Sequence, residues 1–204
     1  MSLDGSIADF KTNMELHYQI AGNYHPDAHL IGSNTVKVGI ELYSEGVPPE
    51  EVKDFDKPKR AESLPYWVIP DTKGALKGLL HTCRRFELCR DVIVLMSEET
   101  PKEYIEHLKE RKYNYHVVGK KHVDLKRALE ILASEYGVKK VLADTGMILS
   151  NLLLNQGLAS EISLLIHPII VGDKSYNIFS NVSEPIGLKL DKAEILDKGY
   201  VWMV

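Results

Sequence analysis

At 204 residues the chain is long enough for one ample core, and it reads as a single domain over residues 1–204. Its 25 Lys and Arg against 29 Asp and Glu leave a net charge of −4, which gives no electrostatic footprint for nucleic acid. No apolar run approaches the roughly 20 residues needed to span a bilayer, no basic start followed by an apolar leader opens the chain, and two cysteines are too few for a disulfide scaffold. These features lead us to expect a cytoplasmic protein with reduced thiols and no membrane partner.

Near the first residues, Asp4-Gly5 is a turn signal. Between Tyr18 and His29, Gly22, Asn23, Pro26 and Asp27 cap or interrupt any helix. Ala28 to Gly32 reads as a short buried strand, followed by Ser33-Asn34-Thr35, a strand-to-turn junction of small hydrogen-bonding residues. From Tyr43 to Leu64 the apolar periodicity is lost around Pro48-Pro49 and a mixed-charge stretch, which reads as a long solvated surface excursion. Tyr66 to Ile69 is the next strand, and it stops at Pro70-Asp71-Thr72-Lys73-Gly74.

Strands are expected at Leu79–Phe86 and Val92–Met96. Cys83 and Cys89 are then thiols on or beside a strand; with His81 they match no closed zinc motif, so no metal is expected. Thr100-Pro101 is a helix start, with Tyr104, Ile105 and Leu108 on one face. Tyr115–Val118 is a strand. Asp124 caps a helix whose Leu125, Ala128, Leu129 and Leu132 recur at helical spacing, and Gly137 closes it.

Val138–Ala143 is a strand that leads into Asp144-Thr145-Gly146-Met147-Ile148, where a helix starts at once. Such a junction points backbone N–H groups and the positive end of a helix dipole at an anion. Ile162–Val171 is a long apolar run broken by His167-Pro168, with His167 read as a satisfied core histidine. Leu188–Leu196 and Tyr200–Val204 flank a Lys198-Gly199 turn and make a closing hairpin. Alternating strands and helices followed by consecutive strands indicate an α/β fold: a mostly parallel central sheet flanked by helices, with an antiparallel C-terminal edge hairpin.

Three junctions, at Ser33–Thr35, Asp71–Thr72 and Asp144–Ile148, each follow a strand, and open α/β sheets bind ligands beyond the carboxyl ends of their strands. Taken singly, each is also an ordinary connection. No G-x-G-x-x-G, no phosphate-loop G-x-x-x-x-G-K-[ST], no H-E-x-x-H and no G-x-S-x-G occurs. The residues alone therefore indicate a nucleotide-binding α/β domain.

The segments SLDGSIA, HLIGSNTV, VIPDTKG, VDLKRALEILASEYGVKKVLADTG and LLLNQGLASEISLLIHPIIVG, in this order, resemble the reductase domain of the riboflavin-pathway deaminase–reductases, the RibD C-terminal domain family. That family includes the stand-alone diaminohydroxy-ribosylaminopyrimidine-phosphate reductases, and the resemblance implies a dihydrofolate-reductase-like fold. It further implies hydride transfer from NADPH, with NADH as the alternative, to a small-molecule substrate in riboflavin biosynthesis, and a homodimer. In that case Gly32, Ser33, Thr35, Asp71 and Thr72 lie against the cofactor. Asp144, Thr145, Gly146, Met147 and Ile148 hold its phosphates, and Asp4 sits at the floor of the substrate pocket as the catalytic-site residue.

The chain also departs from that pattern. Ser6 stands where the family has a basic residue, Thr145 and Met147 replace glycines, and no arginine lies between His17 and Glu45. These departures keep two alternatives open: a reductase of the same fold acting on another small carbonyl or imine, such as a pterin, and a non-catalytic nucleotide-binding protein.

Overall fold

A parallel sheet is the frame on which the candidate site is built. The structure is a computed structural model and describes residues 1–43 and 46–204. The chain forms two compact units, one of residues Tyr24–Thr145 and one of Met1–Asn23 with Gly146–Val204.

In the first unit, β1 (Ala28–Leu30), β2 (Tyr66–Pro70), β3 (Val92–Met96), β4 (Asn114–Val117) and β5 (Val141–Ala143) form one sheet in the order β4-β3-β2-β1-β5. Every pairing is parallel. The connections include the helices α2 (Ser33–Tyr43), α3 (Leu80–Arg85), α4 (Lys102–Glu110) and α5 (Leu125–Tyr136). All five residues of β3 are buried, as expected of a strand covered on both faces. Tyr104 and Leu108, four apart on α4, meet Ile69, Leu76, Leu80, Val94 and Met96 in the core. The Asp124 side chain accepts from Arg127 N–H at the start of α5, and Gly137 ends that helix at φ 68°.

Residues 79–86, expected as a strand, are instead largely the helix α3, so Cys83 is a helical residue. The reason is Arg84. It is 3% exposed, and its guanidinium reaches Asp91 Oδ1 (2.9 Å), Asp54 O (2.9 Å) and Arg111 O (2.9 Å), while stacking 3.8 Å above the Tyr113 ring. The same helix pins the charged excursion. Arg85 Nε donates to the buried Asp54 (2.8 Å), and His81 Nε2 lies 2.8 Å from Pro48 O. A 3-10 turn, Val52–Phe55, forms there, so part of the excursion is ordered against the core. A second helix that the local pattern did not announce is α2, which starts directly at Ser33. β5 begins at Val141 rather than Val138, because the N–H groups of Lys139 and Lys140 are taken by the Asp27 carboxylate (2.8 and 2.9 Å).

The second unit holds α1 (Met14–Gly22), α6 (Met147–Asn155) and the strands β6 (Leu164–Ile166), β7 (Ala193–Ile195) and β8 (Val201–Met203). The closing hairpin is β7–β8. It pairs with β6 in an antiparallel sheet of its own, in the order β6-β8-β7. The apolar run contributes only Leu164–Ile166 to that sheet. His167 is a satisfied core histidine: Nε2 accepts from Asn13 N–H (3.0 Å), Nδ1 faces Met1 O (3.2 Å), and the rings of Phe10 and Tyr200 stand edge-on to it.

Candidate functional site

In the order β4-β3-β2-β1-β5 the chain steps outward from β1 to β4 and then returns to the other side of β1 as β5. The crevice between the carboxyl ends of β1 and β5 is therefore the topological switch point, where open α/β sheets take ligands. Leu30 and Ala143 are register partners at those two ends. Two residues beyond each, the Gly32 N–H donates to the Thr145 hydroxyl across 3.1 Å. A Cβ built on Gly32 would lie 3.1 Å from that oxygen and 3.7 Å from the Thr35 hydroxyl. Glycine keeps this space open and is not demanded by the backbone, since its φ is not in the left-handed region. The Gly32 carbonyl accepts from Val36 N–H (3.0 Å), so α2 leaves the crevice from its first turn, with Ser33 half-buried and Thr35 exposed at its mouth.

On the other side of β1, Asp71 directly follows β2. Its carboxylate is buried and accepts from Ala75 N–H and Leu76 N–H, both at 2.9 Å. Gly74 sits inside that turn at φ 69°, where a Cβ would come within 2.9 Å of the Tyr104 ring. Asp71 thus builds a rigid ledge beside β1, and both of its oxygens are engaged by its own turn. Thr72 is half-buried on the ledge. His29, in the middle of β1, is a site-adjacent residue that the sequence did not single out. Burial holds its imidazole below the ordinary range, and the Asp144 carboxylate opposes that shift.

Gly146, Met147 and Ile148 belong to the second unit. Gly146 caps α6 in an extended conformation, φ −74° and ψ 178°, with its carbonyl accepting from Ser150 N–H (3.2 Å). Neither Met147 nor Ile148 is buried, and Ile148 is 62% exposed. No acidic residue stands in the first turn of that helix.

Asp4 also lies in the second unit. It accepts from the Ser2 hydroxyl (2.6 Å), from Gly172 N–H (2.8 Å) and from Val171 N–H (3.2 Å). Those bonds, the Ser2 hydroxyl first, push its carboxyl down to about 2. Ser6, where a basic residue was the expectation, is buried and turned inward. Its hydroxyl donates to Ala8 O (3.0 Å) and accepts from Tyr176 N–H (2.8 Å).

The structure thus brings Gly32, Thr35 and Thr145 together at the switch point, with Asp144 adjoining and the Asp71–Thr72 ledge flanking β1. Asp4 and Gly146–Ile148 are placed in the other unit. Among the described residues no group of three or more His, Cys, Asp and Glu side chains is arranged to hold a metal ion. Cys83 and Cys89 are free and buried, and burial pushes the Cys83 thiol up to about 12. His25 lines a separate cavity of about 240 Å³ with Tyr66, Arg90 and Tyr136, residues that precede or open strands at the amino end of the sheet or close α5. Among the described residues no helix is long and apolar enough to cross a membrane.

Comparison with solved structures gives the same fold along the whole chain. A pyrimidine reductase-like protein from Corynebacterium diphtheriae superposes with a TM-score of 0.68 at 18% identity, over 100% of this chain and 87% of that one. RibD from Acinetobacter baumannii gives 0.69 at 20% identity, over 99% of this chain and 54% of the longer RibD chain. The riboflavin biosynthesis reductase Rib7 of Saccharomyces cerevisiae gives 0.64 at 19% identity, over 100% and 84%. Comparison with curated protein sequences yields no match. The family model described as RibD C-terminal domain matches residues 1–202, through both compact units, and the chain belongs to that family.

Proposed function

We propose that this chain is an NADPH-dependent reductase of a small substrate, and that the substrate belongs to the ribosylaminopyrimidine phosphates of riboflavin biosynthesis. The observation that carries the reading is the convergence of the Gly32 amide with the Thr35 and Thr145 hydroxyls at the β1/β5 switch point, in a chain of this family. The residues fit a dinucleotide. The missing Gly32 side chain leaves a cradle that a single Cβ would fill, and the hydroxyls of Ser33 and Thr35, with backbone amides, are donors of the kind that phosphate and ribose oxygens take.

Within the parallel-sheet unit, Gly32, Ser33 and Thr35 would hold the cofactor on one side of the crevice, with Asp144 and Thr145 bounding it on the other. Asp71 and Thr72, on the ledge at the other side of β1, would lie against the cofactor. NADPH, when bound, supplies a hydride to an electrophilic carbon of the substrate. Asp4 is held ionised and so accepts hydrogen bonds without donating a proton at neutral pH. Its part is to orient donor groups of the substrate, with its own position fixed by Ser2, Val171 and Gly172.

A titration of NADPH and of NADH, followed by cofactor fluorescence and thermal shift, tests the reading, and absence of binding by both at millimolar concentration refutes it. A second reading, a same-fold reductase of another small carbonyl or imine, is favoured by Ser6, whose hydroxyl serves its own turn and presents no cation to a phosphate. A panel of pterins, pyrimidines and small aldehydes separates the two, because the first requires strong preference for the phosphorylated pyrimidine. The third reading, a non-catalytic nucleotide-binding protein, requires cofactor binding with no turnover of any of them.

The homodimer forms part of the same proposal. In the register of the antiparallel sheet, Leu164, Ile166, Val201, Met203, Ala193 and Ile195 share one face, and all six are apolar. Ile195 is 84% exposed, and of these six none is buried. An apolar sheet face that is half-buried at Leu164, Ile166, Val201 and Met203 and exposed at Ala193 and Ile195 matches an isologous contact with a second copy. The two buried thiols agree with a cytoplasmic setting.

A further inference from the structure

Thr145, one of the residues at which the chain departs from the resemblance, also bounds the crevice. Gly32 and Thr145 occupy equivalent places, each two residues beyond the end of its strand, on the two neighbouring strands of the switch point. A glycine at position 145 would leave the Gly32 N–H pointing into the crevice as a donor. With threonine there, that N–H is spent on the hydroxyl across 3.1 Å. The same oxygen bounds the space over the Gly32 Cα, 3.1 Å from where a Cβ would be, and the Thr35 hydroxyl bounds it at 3.7 Å. One side chain therefore engages a backbone donor and narrows the cradle beside it.

We infer that Thr145 is an affinity-setting latch: its hydroxyl competes with a phosphate oxygen of the dinucleotide for the Gly32 amide. The inference rests on the cofactor reading above. In the free protein the Gly32 amide is satisfied by Thr145, so that amide is not an unmet donor waiting for a ligand. A ligand oxygen gains only the difference between its own bond and the one it displaces. The exchange of one neutral hydrogen bond for another is close to balanced, whereas a charged acceptor makes the stronger bond. Removing the hydroxyl takes the competitor away without touching the donor. The affinity for the dinucleotide then rises by about threefold to tenfold, the size of one typical net hydrogen bond.

Thr145→Ala removes the hydroxyl without the added backbone freedom of glycine, and Thr145→Ser keeps the hydroxyl. Titration of wild type and both variants with NADPH and NADH by cofactor fluorescence reads affinity directly, without turnover. The expected result is a Kd about threefold to tenfold lower in Thr145→Ala and within about twofold of wild type in Thr145→Ser. Amide hydrogen exchange at Gly32 in the ligand-free proteins is the second readout, and it should accelerate in Thr145→Ala alone. An unchanged or higher Kd in a folded Thr145→Ala protein that binds cofactor overturns the latch and leaves the reductase reading standing. So does unchanged exchange at Gly32. If neither wild type nor Thr145→Ala binds either dinucleotide at millimolar concentration, the cofactor reading itself fails and the latch falls with it.

Discussion

Arg84 and Asp91 form an ion pair, 2.9 Å between Nε and Oδ1, with only 3% and 8% of their side chains exposed. The pair ties the helix α3 to the start of β3, and the same guanidinium satisfies the carbonyls of Asp54, Arg111 and Lys112. A desolvated charge is tolerable only while its partners hold. Arg84→Met should therefore destabilise the fold by about 3–5 kcal/mol, because it takes the guanidinium from three carbonyls and leaves the buried Asp91 carboxylate with only the neutral donors Val92 N–H and Asn114 Nδ2. Urea denaturation of the variant checks this, and a loss below about 1 kcal/mol would show that the pair is replaceable.

Asp54 gives the acid limb of stability a definite sign. Its carboxyl is lowered to about 2, first by the Arg85 hydrogen bond. A folded-state value below the unfolded one means that its contribution is complete above about pH 4 and is lost as pH falls through about 2. A shift of this size corresponds to roughly 2 kcal/mol. Denaturant midpoints measured from pH 5 to pH 2 should fall steeply for wild type and more gently for Asp54→Asn, which does not titrate there. Parallel slopes in the two proteins would assign the acid limb to other carboxylates.

Elements whose determinants are local could be read from the sequence, and those held by distant partners could not. The helix α5 carries its own start, Asp124, its own stop, Gly137, and a buried stripe between them. The strand β3 announces itself as an unbroken apolar run. By contrast, the buried polar face of α3 depends on Arg84 finding Asp91, Asp54 and Arg111, of which the last two lie about 30 residues away in either direction. The candidate site divides in the same way. Ser33, Asp71 and Asp144 each mark the end of a strand, which is visible as a pattern. That Gly32 meets Thr145, 113 residues on, follows only from the sheet order that makes β1 and β5 neighbours. The engagement of Asp71 by the amides of Ala75 and Leu76 is a side-chain choice that residue type leaves open.

The apolar face of the antiparallel sheet makes the dimer testable at one residue. Ile195 is 84% exposed at its edge, directly opposite Val201 in the register. Ile195→Lys costs the isolated fold little, since an exposed side chain contributes little burial, but it places a charge within an isologous contact, once in each copy. Sedimentation velocity should give a dimer for wild type and a shift towards monomer for Ile195→Lys, with the circular dichroism spectrum unchanged. A wild-type protein that sediments as a monomer at tens of micromolar removes the dimer from the proposal.

Gly32→Ala separates fold from binding most directly. The backbone there does not need a left-handed conformation, so alanine brings no torsional penalty. Its methyl would sit 3.1 Å from the Thr145 hydroxyl and 3.7 Å from that of Thr35, a squeeze that a shift of a few tenths of an ångström in one side chain relieves. Stability should fall by no more than about 1 kcal/mol, a typical cost of a mild steric adjustment. The cradle, however, would be filled. If phosphates bind over Gly32, the affinity for NADPH should fall by more than about tenfold, because the backbone can no longer be approached closely. Thermal melting and fluorescence titration on the same preparation give both values. A Gly32→Ala protein that melts like wild type and binds NADPH as tightly would move the cofactor away from the β1/β5 switch point.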